Sequence, residues 1–161
     1  MIRVLFVCLG NICRSPLAMA IFNKKVNEAG LRSQFKSDSA GTSDFHIGEL
    51  PDERTLKCAS KNGLNLKHRG RQVNRTDFRD FEYIIAMDEN NLRNLNNLKV
   101  HYGFDKKEIY LIRDFTPDSE GLSVPDPYYG GDESFDEVYT ILEDAMEGFL
   151  LKVKETHQLY V

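Results

Sequence analysis

The first apolar block of the chain, residues 2 to 7, is interrupted only at Arg3 and is rich in β-branched and aromatic side chains. A short run of this kind without alternation predicts a strand buried on both faces. The period then changes. Over residues 15 to 30 the apolar positions Leu17, Ala20, Ile21 and Val26 fall on one helical stripe. Ser15 is the expected N-cap of this helix, Pro16 a first-turn residue and Gly30 the stop. A second short strand is expected at residues 35 to 39, and a helix over 51 to 63 with proline at its start and glycine at its end. Residues 82 to 87 predict a third strand, DENNLRNLNNL after it a helix, and residues 109 to 112 a fourth strand. The last element is an amphipathic helix over 134 to 155, with Phe135, Val138, Ile141, Leu142, Ala145, Phe149 and Val153 on its apolar face. Strands alternating with helices predict an α/β fold whose parallel sheet is covered on both faces, with ligands at the carboxyl ends of the strands. No linker, repeat or low-complexity tract interrupts the pattern, so residues 1–161 are expected to form a single domain.

Composition narrows the function classes. With 161 residues, 41% hydrophobic and 29% charged, the chain can build an ordinary globular core. A net charge of −4 provides no global field for nucleic acid or anionic lipid, so neither is an expected partner and any phosphate site must be local. The apolar run at residues 4 to 9 is too short for a membrane span or a signal-peptide core. Three cysteines, an odd number, argue against a disulfide framework and favour a reducing, cytoplasmic setting. No cofactor is expected, and no cluster of His, Cys and carboxylate has metal-ligand spacing. His101 and His157 read as surface residues, and Cys58 as a structural thiol.

The chemistry concentrates in CLGNICRS, residues 8 to 15, between the first strand and the first helix. A strand, a tight loop and a helix N-terminus form an anion cradle, because loop N–H groups and the helix dipole point the same way. The loop lacks the G-x-x-x-x-G-K-[ST] and G-x-G-x-x-G patterns of nucleotide sites. It holds Cys8, five residues, then Arg14 and Ser15. Cys8 can aim its sulfur at the loop centre, where amides and dipole favour thiolate. Arg14 offers a planar fork for two phosphoryl oxygens. Ser15 can donate to the sulfur, and Gly10 and Asn11 tolerate the left-handed backbone that turns N–H groups inward. Asp88, after the third strand, could orient Arg14 through a charge-assisted bond. Asp126 lies between Pro125 and Pro127, which fix its direction and make it a candidate proton donor.

CLGNICRSP near the N-terminus, MDENNL at 87 to 92 and DPYYGG at 126 to 131 resemble the low-molecular-weight protein tyrosine phosphatases, and the similarity covers essentially the whole chain. The resemblance implies a four-stranded parallel sheet with helices on both sides. It implies hydrolysis of phosphotyrosine in proteins through a phosphocysteine, with Asp126 as general acid and then base. It places an aromatic residue at Phe45, so that Phe45, Tyr128 and Tyr129, with Leu9, Ile12 and Cys13, would wall a slot for a phenyl ring; Tyr129 is alternatively a core residue. A supporting network maps onto Ser39, His68 and Asn11, while His46 receives no role. Cys13 either packs behind the loop or captures an oxidised Cys8 as a disulfide. Related folds reduce arsenate, using further cysteines that this chain lacks, or dephosphorylate arginine, with threonine where Ile12 stands. A phosphotyrosine reader without activity would be expected to have lost Cys8 or Asp126. The chain is expected to act on phosphotyrosine-bearing proteins as a monomer, with weak self-association left open.

Overall fold

Strand β1 (Ile2–Cys8) is central because every residue from Val4 to Val7 is fully buried, as the unbroken apolar run requires. The computed structural model describes residues 1–159. In it β1 pairs in parallel with β2 (Phe35–Gly41) on one side and β3 (Tyr83–Ala86) on the other, and β4 (Ile109–Leu111) lies beyond β3. The sheet order is therefore β2-β1-β3-β4. The helices are α1 (Arg14–Glu28), α2 (Glu53–Lys61), α3 (Arg75–Asp80), α4 (Glu89–His101) and α5 (Asp132–His157).

Alternation along β1 divides the core in two. Val4 and Phe6, with Ile85 of β3, pack among residues of α1 and α5. Leu5 and Val7, with Ile84 and Ala86, pack against Phe78 of α3 and Leu95 of α4. Helices thus cover both faces, and the carboxyl end of β1 emerges between them. On the first face Phe149 of α5 sits among aromatic rings, with centroids 5.0 Å from Phe115, 5.5 Å from Tyr83, 5.9 Å from Phe22 and 6.4 Å from Phe6. Among the described residues, no helix is long and apolar enough to cross a membrane.

Several element ends differ from the expected ones, each for a local reason. Helix α1 begins at Arg14 with Cys13 at its N-cap, so Ser15 lies within the first turn and does not cap it. Its hydroxyl is engaged instead by Cys8 and Asn11. The expected stop holds: Gly30, with φ 72°, follows the C-cap residue Ala29. Strand β2 extends two residues past Ser39, because Ala40 and Gly41 pair with Val7 and Cys8. Pro51 stays outside α2, where Asp52 is the N-cap and accepts from the Arg54 N–H. Helix α3 has no counterpart among the expected elements. Its six residues bury a single large apolar side chain, Phe78, so no stripe marks it; a capping box between Asn74 and Asp77 holds it.

Phe149→Ala should destabilise the protein by about 3–5 kcal/mol, since it removes a ring from the centre of a closed aromatic cluster. A lower guanidinium midpoint with an unchanged denaturant slope is the expected reading.

Candidate active site

The loop between β1 and α1 is shaped by one residue in the left-handed region, Asn11 at φ 58°. Gly10 does not share that conformation, contrary to the sequence expectation. Its smallness leaves room for a side chain instead: a Cβ at Gly10 would lie 2.9 Å from Cδ2 of the partly exposed His46 and would push that ring aside. Cys8, 2% exposed, ends β1 beneath the loop, and the N-terminus of α1 opens beside it.

The proton arrangement around Cys8 can be deduced. The backbone N–H of Arg71, which can only donate, lies 3.1 Å from the Asn11 side-chain oxygen. That fixes the Asn11 amide, and the same oxygen accepts from Nε2 of His68 at 2.8 Å. The Asn11 Nδ2 group then donates to Ser15 Oγ at 2.8 Å and to Ser39 Oγ at 2.9 Å. Ser15 Oγ, which accepts from Asn11, lies 3.0 Å from Cys8 Sγ and 3.4 Å from the Ala40 carbonyl, so the sulfur is the nearer target for its hydrogen and a thiolate there can only accept it. His68 Nε2 also lies 3.1 Å from Ser39 Oγ, and its Nδ1 faces Asp38 at 3.8 Å. Ser39, His68 and Asn11 therefore act as one relay that orients a donor at the sulfur.

Arg14 is held from behind. Its Nη1 donates to Asp88 Oδ2 at 2.6 Å and to the Val124 carbonyl at 3.0 Å, and its Nη2 stands 3.7 Å from Asp126 Oδ2. Asp88 is also the N-cap of α4, which locks its own direction. Burial opposes the Arg14 charge, but Cys8, Asp88 and Asp126 outweigh it and raise its pKa above the ordinary arginine value. The Nε–H of Arg14 is buried and has no partner among the described residues. A buried guanidinium donor left unpaired costs about 1–3 kcal/mol, so this edge is built for an acceptor from outside the chain.

A cleft of about 370 Å³ opens above the loop, lined by Cys8, Leu9, Ile12, Arg14, Phe45 and Asp126, with Tyr128 and Tyr129 beside them. Asp126 Oδ1 accepts the N–H of Tyr128 at 3.1 Å. Tyr129 is 93% exposed, which overturns its reading as a core residue; its ring meets Tyr128 edge-on at 5.0 Å. Phe45, 72% exposed, stands on the rim. Gly10, Cys13 and His46 also line the cleft, and His46 is turned by Glu49, 2.8 Å from its Nδ1. Burial, with the nearby charges of Asp52 and Cys8, pushes the Cys13 thiol up to about 12, so it stays neutral at physiological pH.

Some contributors are invisible to motif reading. The Val124 carbonyl and the Arg71 N–H are backbone groups with no residue signature. Asp52 had a usable signal, an Asp preceding a helical pattern, which is the ordinary mark of an N-cap. His101 is exposed as expected, and the exposed His157 shares a hydrogen bond with the Tyr83 hydroxyl, 2.8 Å from its Nε2.

Replacing Asn11 separates strain from contacts. Asn11→Ala and Asn11→Gly lose the same hydrogen bonds, but only alanine keeps a Cβ in the left-handed region. The alanine variant should be the less stable of the two by about 1 kcal/mol, read from urea midpoints.

Comparison with known proteins agrees with this geometry. Residues 3–159 match the profile of the family described as low molecular weight phosphotyrosine protein phosphatase. A protein of that name from Schizosaccharomyces pombe is 44% identical, covering 94% of this chain and 97% of its own. Among solved structures, a protein tyrosine phosphatase from Entamoeba histolytica superposes with a TM-score of 0.88 at 38% identity, over 98% of this chain and 99% of its own. A Drosophila arginine phosphatase superposes with a TM-score of 0.89 at 34% identity, over 94% and 97%. With its cradle, its fixed arginine and its matched length, the chain belongs to the low molecular weight phosphotyrosine protein phosphatase family.

Proposed function

We propose that the protein hydrolyses phosphotyrosine in other proteins, and small aryl phosphates, through a phosphocysteine. The observation that carries this is the free edge of Arg14: Nη1 is consumed by Asp88 and Val124, while the buried Nε–H has no partner among the described residues, and the arginine lines the same cleft as Cys8. A phosphoryl group seated on the loop amides would complete that donor and place phosphorus against the sulfur.

The steps follow from the groups in place. The Cys8 thiolate attacks phosphorus; an S–P bond forms as the P–O bond to the aryl group breaks. The departing oxygen takes its proton from Asp126, which lines the same cleft as the sulfur. Asp126, now a carboxylate, draws a proton from water, and the hydroxide attacks phosphorus. The S–P electron pair returns to Cys8, where the Ser15 hydroxyl steadies the forming thiolate. The same serine thus assists the second step as a donor to the leaving group. Leu9, Ile12 and Tyr128 supply apolar walls, with Phe45 and Tyr129 on the rim, above a buried sulfur. A phosphotyrosine reaches down that depth, whereas a phosphoserine is too short.

The Drosophila neighbour makes phosphoarginine the second reading. The buried Ile12 side chain lining the cleft crowds a branched guanidinium and favours a flat ring. The three cysteines are free thiols, which suits the reducing cytoplasm, where we place the enzyme acting as a monomer on phosphotyrosine-bearing proteins.

Turnover of phosphotyrosine, phosphoserine, phosphoarginine and arsenate measured side by side should show phosphotyrosine alone as a good substrate. Cys8→Ser should abolish that turnover while inorganic phosphate still binds in calorimetry. Arg14→Lys should cost about 10²-fold or more in kcat/KM, because an ammonium cannot reproduce the fork. Asp126→Asn should slow phenyl phosphate by about 10²-fold or more, and p-nitrophenyl phosphate, whose leaving oxygen is far less basic, much less. An equal loss on both would remove Asp126 from the role of acid.

A further inference from the structure

We propose that Arg54 is a positioning residue for the proton donor, clamping the turn that carries Asp126 onto the helix that also braces the phosphate loop. The inference rests on the reading of Asp126 as general acid and extends it to a residue that touches neither substrate nor sulfur.

The first turn of α2 faces two ways. Toward the cradle, the Asp52 N–H donates to the Ile12 carbonyl at 2.9 Å, and the buried Thr55 hydroxyl donates to the same carbonyl at 3.1 Å. That end of α2 is therefore fixed to the loop between Cys8 and Arg14. Toward the acid, Arg54 donates from Nη1 to the Gly130 carbonyl at 2.7 Å and from Nη2 to the Tyr128 carbonyl at 2.9 Å. Its guanidinium lies 4.6 Å over the ring of Phe135 and 5.8 Å from that of Tyr128. Asp52 aims the fork by accepting from Nε and Nη2, each at 3.1 Å.

The contact reaches the carboxylate in one step. The N–H of Tyr128 donates to Asp126 Oδ1 at 3.1 Å, so fixing the Tyr128 main chain fixes the acid. Within residues 125–131 the other hydrogen bond is internal, from the Gly130 N–H to the Pro127 carbonyl. Apart from the Ser134 N–H, which donates to the Gly131 carbonyl at 3.0 Å where α5 begins, the hydrogen bonds that reach this turn from elsewhere among the described residues come from Arg54, and they are the ones made next to Asp126 and Tyr128. Arg14 at 3.7 Å attracts Asp126 by charge but does not set its angle. A proton donor must lie within hydrogen-bond reach of the leaving oxygen, and a displacement of about 1 Å can cost 10²-fold. Arg54 is the part of the chain that holds that distance.

The test compares Arg54→Met, Arg54→Lys, Asp126→Asn and the double variant Arg54→Met with Asp126→Asn, on phenyl phosphate and p-nitrophenyl phosphate. The ratio of the two kcat values is read, because it does not depend on the fraction of enzyme folded. Arg54→Met should slow phenyl phosphate by about 10-fold and p-nitrophenyl phosphate by about 2-fold, since only the former depends strongly on the acid. Arg54→Lys should recover little, as a point charge cannot reach both carbonyls and Asp52 together. In the Asp126→Asn background, Arg54→Met should add almost nothing to the ratio. Inhibition by inorganic phosphate should stay within about twofold, because the cradle keeps its own contacts. An equal loss on both substrates, or the full Arg54→Met effect persisting in the double variant, overturns the positioning role while Asp126→Asn alone still discriminates. If Asp126→Asn itself fails to discriminate between the substrates, the general-acid reading falls and the role of Arg54 falls with it.

Discussion

Asn11 sits in a backbone conformation that costs an L-residue about 1–2 kcal/mol, and hydrogen bonds to Ser15, Ser39, His68 and Arg71 keep it there. Everything at the bottom of the cleft follows from that constraint. The left-handed turn shapes the loop over Cys8, and the Asn11 amide decides which way the Ser15 hydrogen points. Because one unambiguous donor, the Arg71 N–H, fixes the amide, the proton order from His68 through Asn11 to Ser15 is set, and once Cys8 is a thiolate the Ser15 hydroxyl is the donor between the two. Strain of this kind persists only where its surroundings over-determine it, and here those surroundings come from β2, α1 and the segment before α3.

The fold was largely legible because its strands obey a simple rule. Val4 to Val7 are apolar without alternation, which only a strand with two covered faces permits, and both covering layers are present. The short helix α3 was not legible, since a capping box and one phenylalanine leave no periodic trace. The site divides in the same way. Cys8, Arg14 and Asp126 could be read from residue type and spacing, and the structure gathers them around one cleft. What holds them could be read only in part. The likeness to the family suggested Asn11, Ser39 and His68, but Val124 and Arg71 act through main-chain atoms, and Arg54 acts on carbonyls. Ser15 was expected both to cap α1 and to donate to the sulfur; the cap role fell to Cys13, while the contact with the sulfur is present.

Arg14 illustrates how the protein separates holding from acting. Asp88 and a carbonyl occupy one nitrogen, and the remaining edge is kept free although burial makes a free donor costly. Asp88 is in turn committed to the first turn of α4, so the arginine is referenced to the helix layer on the opposite side of the sheet from α1. Asp126 stands with Oδ2 3.7 Å from the fork while its other oxygen, Oδ1, accepts the Tyr128 N–H.

The parallel order β2-β1-β3-β4 has a consequence for how the protein comes into being. The nucleophile lies at residue 8, but its arginine is anchored by a carbonyl 110 positions further along the chain. During synthesis Cys8 therefore leaves the ribosome early and remains without its clamp until most of the chain has followed. Contacts of such long sequence separation close late and slowly. For that interval Cys8 is an ordinary thiol, since the α1 N-terminus beside it and the anchored Arg14 that set it apart come only with the finished fold.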